Sequence, residues 1–330
     1  MKYFGTDGFR GEANVTLNVE HAYKVGRFLG NYFQKEDHKV RVVIGKDTRL
    51  SGYMFETALA SGLTASGADV YELHVTTTPS VSYLVRKENF DCGIMISASH
   101  NPYFDNGIKV INGKGHKLEP EIEEQIEKYI DGESEEIPMA KREAIGRCFD
   151  YTKGRDEYIE YLKDLVKEPF DGKTVALDLA NGSASMIAKE IFESMGAQVI
   201  ARHDEPNGTN INRECGSTHI EVLQALVYDT GADIGFAYDG DADRCLAVDD
   251  DGKVIDYSLL HMFEGYGSLV MTAEEFFEKY GYEPSKCNVA RCVEEISKKE
   301  RRTVVVKTDH SAVIADLKYI YFCADYVINN

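Results

Sequence analysis

No apolar run in the 330-residue sequence approaches the roughly 20 residues needed to cross a bilayer. The opening Met1-Lys2-Tyr3-Phe4-Gly5-Thr6-Asp7 also lacks the hydrophobic core of a secretory signal, so the expected location is cytoplasmic. Cysteine usage agrees. The seven cysteines (92, 148, 215, 245, 287, 292 and 323) are odd in number and scattered, as befits thiols in a reducing compartment rather than a disulfide framework. The closest pair, Cys287 and Cys292, fits no common zinc spacing. Positive charge is scarce: 37 basic against 56 acidic residues give a net charge of −19, which repels polyanions at long range and argues against nucleic acid and anionic membrane as main partners. No Gly-x-Gly-x-x-Gly follows the early strands, and no Walker loop ending in Gly-Lys-Ser or Gly-Lys-Thr occurs, which argues against a dinucleotide or nucleotide enzyme. Low-complexity tracts are absent as well.

What is present is a hydrophobic content of 43% in a chain long enough for two or three packed domains. After a tight polar loop at Phe4 to Gly11, helix and strand alternate. The pattern predicts helices at 19–33, 55–65, 79–87 and 120–129, and strands at 40–44, 69–73, 93–97 and 107–111. An acidic, aperiodic linker is expected at 131–145. A second unit follows, with helices at 156–166, 184–195 and 220–227 and strands at 174–179, 199–201, 234–237 and 246–248. Such alternation implies α/β domains with mainly parallel sheets covered on both faces. The expected boundaries are 1–145, 146–256 and 257–330. The last segment keeps apolar stretches but loses the Gly-rich polar loops.

Two stretches carry chemistry. Ile94 to Lys109, IMISASHNPYFDNGIK, begins as a buried strand and breaks into small polar residues, so that Ser99 is presented at a strand's carboxyl end, where open α/β folds bind ligands. His100 flanks it and Lys109 follows ten residues on. In Tyr238-Asp239-Gly240-Asp241-Ala242-Asp243-Arg244 the aspartates alternate, so an extended backbone would put their carboxylates on one side. Three carboxylates this close need a cation, and an all-oxygen set suits Mg²⁺. An EF-hand is rejected because Arg244 stands where its glycine should be and Asp250 where its glutamate should be. Arg10, Lys46, Arg49, His100, Lys109 and Arg244 all lie in Gly-, Ser- or Asp-rich segments, ready to meet a small anion despite the net negative charge. A strand-end serine, a Mg²⁺ site and loop-borne basic residues together describe phosphoryl transfer.

The segments FGTDGFRG (4–11), GKDTRLSG (45–52), ISASHNPYFDNGIK (96–109), NGTNINRECGSTH (207–219) and DGDADR (239–244) resemble, in order and spacing, the α-D-phosphohexomutases. Their wording is most similar to the bacterial branch acting on glucosamine phosphates. The resemblance covers about residues 1–256. It implies two consecutive phosphohexomutase-type α/β domains with mainly parallel mixed sheets, the first carrying a phosphoserine loop and the second a metal loop, followed by a divergent segment. It further implies an isomerase that interconverts glucosamine 6-phosphate and glucosamine 1-phosphate through phosphorylated Ser99 and a sugar bisphosphate, which also serves as activator, feeding amino-sugar nucleotide synthesis. One Mg²⁺ per chain would be held by Asp239, Asp241, Asp243 and a phosphoserine oxygen on Ser99. Arg10 and Lys109 match basic residues beside the transferring group, Lys109 with acid/base assistance. His100 and Arg244 match positions that support the two loops. Arg244, Lys46 and Arg49 are the candidates for phosphate contact, although Lys46 and Arg49 can equally hold their own loop by local hydrogen bonds. His219 reads as structural, within a segment that joins domains. The implied partner is a hexosamine phosphate, with a homodimer as the assembly to test. The family's sugar-recognising Gly-Glu-x-Ser-Gly and phosphate-binding Arg-x-Ser-Gly-Thr loops do not occur in these 330 residues. The alternative expectation is therefore a truncated, catalytically impaired homologue that binds metal and sugar phosphate.

Overall fold

The computed structural model describes residues 2–5, 8–34, 38–166, 169–255, 269–272, 278–279, 304–307 and 312–315. The first domain is built on strands β1 (Phe4–Gly5), β2 (Gly8–Glu12), β3 (Arg41–Lys46), β4 (Asp69–Val75), β5 (Cys92–Ile96), β6 (Asp105–Asn112) and β7 (Cys148–Asp150). They form one sheet in the order β1-β2-β6-β5-β3-β4-β7. Pairings β5–β3, β3–β4 and β4–β7 are parallel, and those linking β5, β6, β2 and β1 are antiparallel. Because successive side chains on a strand point to opposite faces, Val42 and Ile44 join one core with helices α1 (Val19–Tyr32), α2 (Gly52–Ala65) and α4 (Pro120–Ile130). Val43 and Met95 join another with Val81, Leu84 and Val85 of α3 (Thr78–Lys87). Those three α3 positions lie at i, i+3 and i+4, one helical face, and burying each contributes on the order of 1.5–3 kcal/mol. Thr77 caps α3, its side chain accepting from the Ser80 N–H, and Pro79 sits in the first turn where no N–H is needed.

The second domain follows α5 (Thr152–Leu165). Its strands are β8 (Thr174–Asp178), β9 (Gln198–Arg202), β10 (Ile234–Tyr238), β11 (Cys245–Asp249) and β12 (Val254–Ile255), in the order β12-β11-β10-β8-β9. Only the β10–β8 and β8–β9 pairings are parallel. Helices α6 (Ala188–Ser194) and α7 (Ile220–Thr230) cover this sheet from opposite cores. Beyond residue 256, three short strands are described: β13 (Leu269–Thr272), β14 (Val304–Lys307) and β15 (Ala312–Ala315), with β14 between the other two. Cys287, Cys292 and Cys323 lie outside the described residues.

Several expectations change in detail. The polar loop expected at Phe4 to Gly11 supplies two short strands, because Phe4 and Phe9 bury against the core. The helix expected at 184–195 is interrupted: a 3-10 turn (Ser183–Met186) comes first, and Ile187 at φ −136° breaks the path before α6. The linker at 131–145 lies against the first domain, with Ala140 N–H bonding Ala65 O at 2.9 Å and Ile137 buried. Strand β7, beyond the expected boundary at 145, adds to the first sheet. Its three residues are exposed, so no apolar pattern announced it.

Candidate active site

Ser99 lies three residues beyond β5, Asp239 directly after β10 and Arg49 just beyond β3, all at carboxyl ends of strands. Ser99 has φ +54°, a left-handed conformation that costs a non-glycine residue on the order of 1–3 kcal/mol unless its surroundings fix it. They do. The Ser99 N–H donates to Ser97 Oγ at 2.8 Å, and Ser97 Oγ donates to Asp47 Oδ2 at 2.7 Å. Asp47 Oδ2 also accepts from Arg49 Nε at 2.8 Å. Arg49 Nη2 then donates to the carbonyls of Ser99 (2.8 Å) and Asn101 (2.9 Å), and Nη1 to those of Pro102 and Asp105. Gly107 lets strand β6 back closely against this loop, since a Cβ there would sit 2.4 Å from Ser97 O and 3.2 Å from Arg10 Cγ.

The second domain reaches the serine from the other side. Ser99 Oγ donates to Asp239 Oδ2 at 2.6 Å, and Arg244 Nη2 donates to Ser99 Oγ and contacts His100 Nδ1. Arg244 Nη2 also stands 3.0 Å from Asp239 Oδ2. Lys109 Nζ donates to Asp241 Oδ2 at 2.8 Å and to Asp243 Oδ2 at 3.1 Å. Thr78, at the start of α3, donates its hydroxyl to the same Asp241 oxygen. Ser99, His100, Lys109, Arg244 and the three aspartates therefore meet in one place, with the charge of Arg10 acting on both His100 and Asp241.

The electrostatics follow from burial. Burial pushes the Asp239 carboxyl up to about 7, and the charges of Asp241 and Asp243 act in the same direction. Burial also acts upward on Asp241, but Lys109, Thr78 and Arg10 together hold it below the usual carboxylate range. His100 is held below the usual imidazole range by burial and by the charges of Arg244 and Arg10. The trio offers carboxylate oxygens within 4.8 Å of one another. Asp241 Oδ1 is buried and accepts no hydrogen bond among the described residues. An oxygen-only donor set with an unsatisfied buried oxygen fits a small hard cation.

Lys46 and Arg49 both meet partners within the first domain. The Lys46 ammonium is fully buried on Glu56 and lies over the Tyr53 ring at 4.3 Å, while the Arg49 guanidinium is turned to loop carbonyls. Arg49 thus holds the serine loop, whereas Lys46 ties the end of β3 to Glu56 of α2. His219 pairs with Glu221 at 3.2 Å where α7 starts. Sequence reasoning gave no role to Asp47, Ser97, Thr78 and Asn212, of which all but Thr78 stood inside the quoted motif segments as visible polar residues. A second N/O/S grouping, Asp178, His203 and Cys215, is a loop fastener: the Asp178 carboxylate accepts from Ala180 N–H (3.1 Å) and Gly216 N–H (2.9 Å) and meets His203 Nδ1 at 3.0 Å.

A first α/β domain presenting a strand-end serine, closed by a second presenting a strand-end carboxylate trio, defines an architecture of phosphohexomutase type. Residues 1–137 match phosphoglucomutase/phosphomannomutase alpha/beta/alpha domain I, and residues 156–252 match domain II. The chain belongs to the phosphoglucomutase/phosphomannomutase family. It is 68% identical over 255 residues to a phosphoglucosamine mutase of Lachnoclostridium phytofermentans, a match covering 77% of this chain and 57% of that protein. It is 62% identical over 256 residues to that of Lachnospira eligens, with the same coverage. The chain thus spans little more than half the length of the curated relatives it matches. Among solved structures, a phosphoglucomutase/phosphomannomutase family protein from Burkholderia thailandensis shares the fold at a TM-score of 0.73 and 24% identity, covering 98% of this chain and 74% of that one. No helix among the described residues is long and apolar enough to cross a membrane.

Proposed function

We propose that this chain carries the phosphoryl-donor half of a phosphoglucosamine mutase, in which Ser99 holds a phosphoryl group and exchanges it with a hexosamine phosphate by way of a sugar bisphosphate. The observation that carries the reading is the 2.6 Å hydrogen bond from Ser99 Oγ to Asp239, with Arg244 on the same hydroxyl and Lys109 bridging Asp241 and Asp243. The three aspartates face three cations, Lys109, Arg244 and Arg10. A phosphoserine adds a charge of about −1.5 to −2. Mg²⁺ held by Asp239, Asp241, Asp243 and a phosphoserine oxygen would supply the matching positive charge and stabilise charge on the transferring group.

The chain's own residues supply the rest. Arg244 holds the Ser99 oxygen in place and supports His100. Lys109 stands beside the aspartates, where its ammonium can give a proton to an oxygen at the transferring group and the amine so formed can take one back. Arg10 adds positive potential to the same space. The free thiols of Cys92, Cys148, Cys215 and Cys245 accord with a cytoplasmic setting. A second reading is binding of metal and sugar phosphate without turnover, supported by the buried, unsatisfied Asp241 Oδ1 within the carboxylate trio. One experiment decides between them: radiolabelled sugar bisphosphate is incubated with the chain and Mg²⁺, the label is mapped, and glucosamine 6-phosphate and 1-phosphate are then assayed for interconversion. Label on Ser99 with interconversion supports the mutase, and label without interconversion supports the binding reading. A label that survives Ser99→Ala and follows Ser97 overturns the site.

A further inference from the structure

We propose that Asn212 is a positioning residue for phosphoryl transfer at Ser99, a role that rests on the reading of Ser99 as phosphoryl carrier. Its side-chain amide donates to Ser99 O at 2.8 Å and to Asn101 O at 3.2 Å. These are the same two carbonyls that Arg49 holds from the first domain. The carbonyls of the two residues flanking His100 are therefore gripped from both domains, which fixes the left-handed turn that aims the Ser99 hydroxyl at Asp239. Asn212 is itself locked. It has φ +57°, its N–H bonds Ala180 O at 2.9 Å, and the preceding Ile211 is buried. Gly240 of the acidic loop closes over it: a Cβ at Gly240 would stand 2.5 Å from Ser99 O and 2.9 Å from Asn212 Nδ2. The amide is a wedge shared by the serine loop and the acidic loop, setting the distance between them. A displacement of about 1 Å between reacting groups can cost on the order of a hundredfold in rate.

Two consequences of the residue separate cleanly, because its backbone favours glycine while its side chain does the positioning. Asn212→Gly suits φ +57°, and Asn212→Ala does not. The full chain and three variants, Asn212→Gly, Asn212→Ala and Asn212→Asp, are compared for melting temperature and for the single-turnover rate of Ser99 labelling by radiolabelled glucose 1,6-bisphosphate with Mg²⁺. Asn212→Gly should melt closer to the wild type than Asn212→Ala. Both should label Ser99 at least about tenfold more slowly, the loss expected of one well-placed hydrogen bond to the reacting loop. Asn212→Asp should be slower still, since its carboxylate would face two carbonyl oxygens. A merely structural role makes rate follow melting, so wild-type labelling by Asn212→Gly overturns the proposal. Failure of the wild-type chain to take label on Ser99 instead overturns the phosphoryl-carrier reading beneath it.

Discussion

Replacing Arg49 by methionine should be among the most damaging single changes in the first domain, although the site would lose no group that touches Ser99 Oγ. The side chain is fully buried and paired with Asp47, whose carboxylate is equally buried. Burial pushes the Asp47 carboxyl upward, against the pull of Arg49 and Ser97. Removing the guanidinium leaves that carboxylate without its counter-charge and takes one donor from each of four loop carbonyls. Breaking a buried pair by deleting one partner costs about 3–5 kcal/mol. For a domain of this size each kcal/mol lowers the melting temperature by about 2–4 °C, so the shift should be roughly 6–20 °C. Arg49→Lys keeps the charge but lacks the planar fork, and should fall about midway. The decisive measurement is a double-mutant cycle followed by near-UV circular dichroism, with amide exchange read at Ser97 to Asp105. Asp47→Asn combined with Arg49→Met should recover at least about 1 kcal/mol relative to additivity, because no charge is then stranded. A loss below about 1 kcal/mol in Arg49→Met, or strict additivity in the double variant, would refute the reasoning.

Other expectations are as direct. Calorimetry should show Mg²⁺ binding that tightens when Ser99 is phosphorylated, and equal affinity in the triple variant Asp239→Asn, Asp241→Asn, Asp243→Asn would remove the trio from metal binding. Glu127 accepts three backbone N–H groups, from Lys2 (2.8 Å), Tyr3 (2.7 Å) and Phe4 (2.8 Å). Burial acts upward on its carboxyl, but these donors prevail and hold it below the usual glutamate value. A depressed carboxyl stabilises the fold above its unfolded pKa, and that stability is lost as pH falls through the folded one. The gap in urea midpoint between wild type and Glu127→Gln should therefore be widest near neutrality and close in acid. A gap independent of pH would show that the carboxylate's charge is irrelevant to holding the N-terminal strand.

The central strands were legible because Val42, Val43 and Ile44 or Ile94, Met95 and Ile96 form unbroken apolar runs, which only a sheet covered on both faces requires. Ser99 and the aspartate trio were legible for the opposite reason. They interrupt such runs with groups that are costly to bury, so their presence there demands a purpose. The roles of Lys46 and Arg49 were not fixed by their motif. A basic residue in a Gly-rich loop looks the same whether it meets a phosphate or its own backbone, and only the folded path shows four carbonyls converging on Arg49. Thr78 and Asn212 were missed because their partners are 163 and 113 residues away, and such pairings leave no period or spacing in a sequence. Strand β7 escaped because an exposed three-residue edge carries no hydrophobic pattern.

The division of the site between two domains also has a meaning in time. Ser99 and its acceptor Asp239 are separated by 140 residues, and Asp241 follows Thr78 by 163. At about 5–20 residues per second of synthesis, Ser99 leaves the ribosome roughly 7–30 s before its acceptor does. Through that interval the nascent first domain has Arg49 and Ser97 to shape the serine loop but neither the acidic loop nor Asn212 to complete it. The serine acquires the contacts of Asp239, Arg244 and Asn212 only when the second domain has been made and has folded against the first.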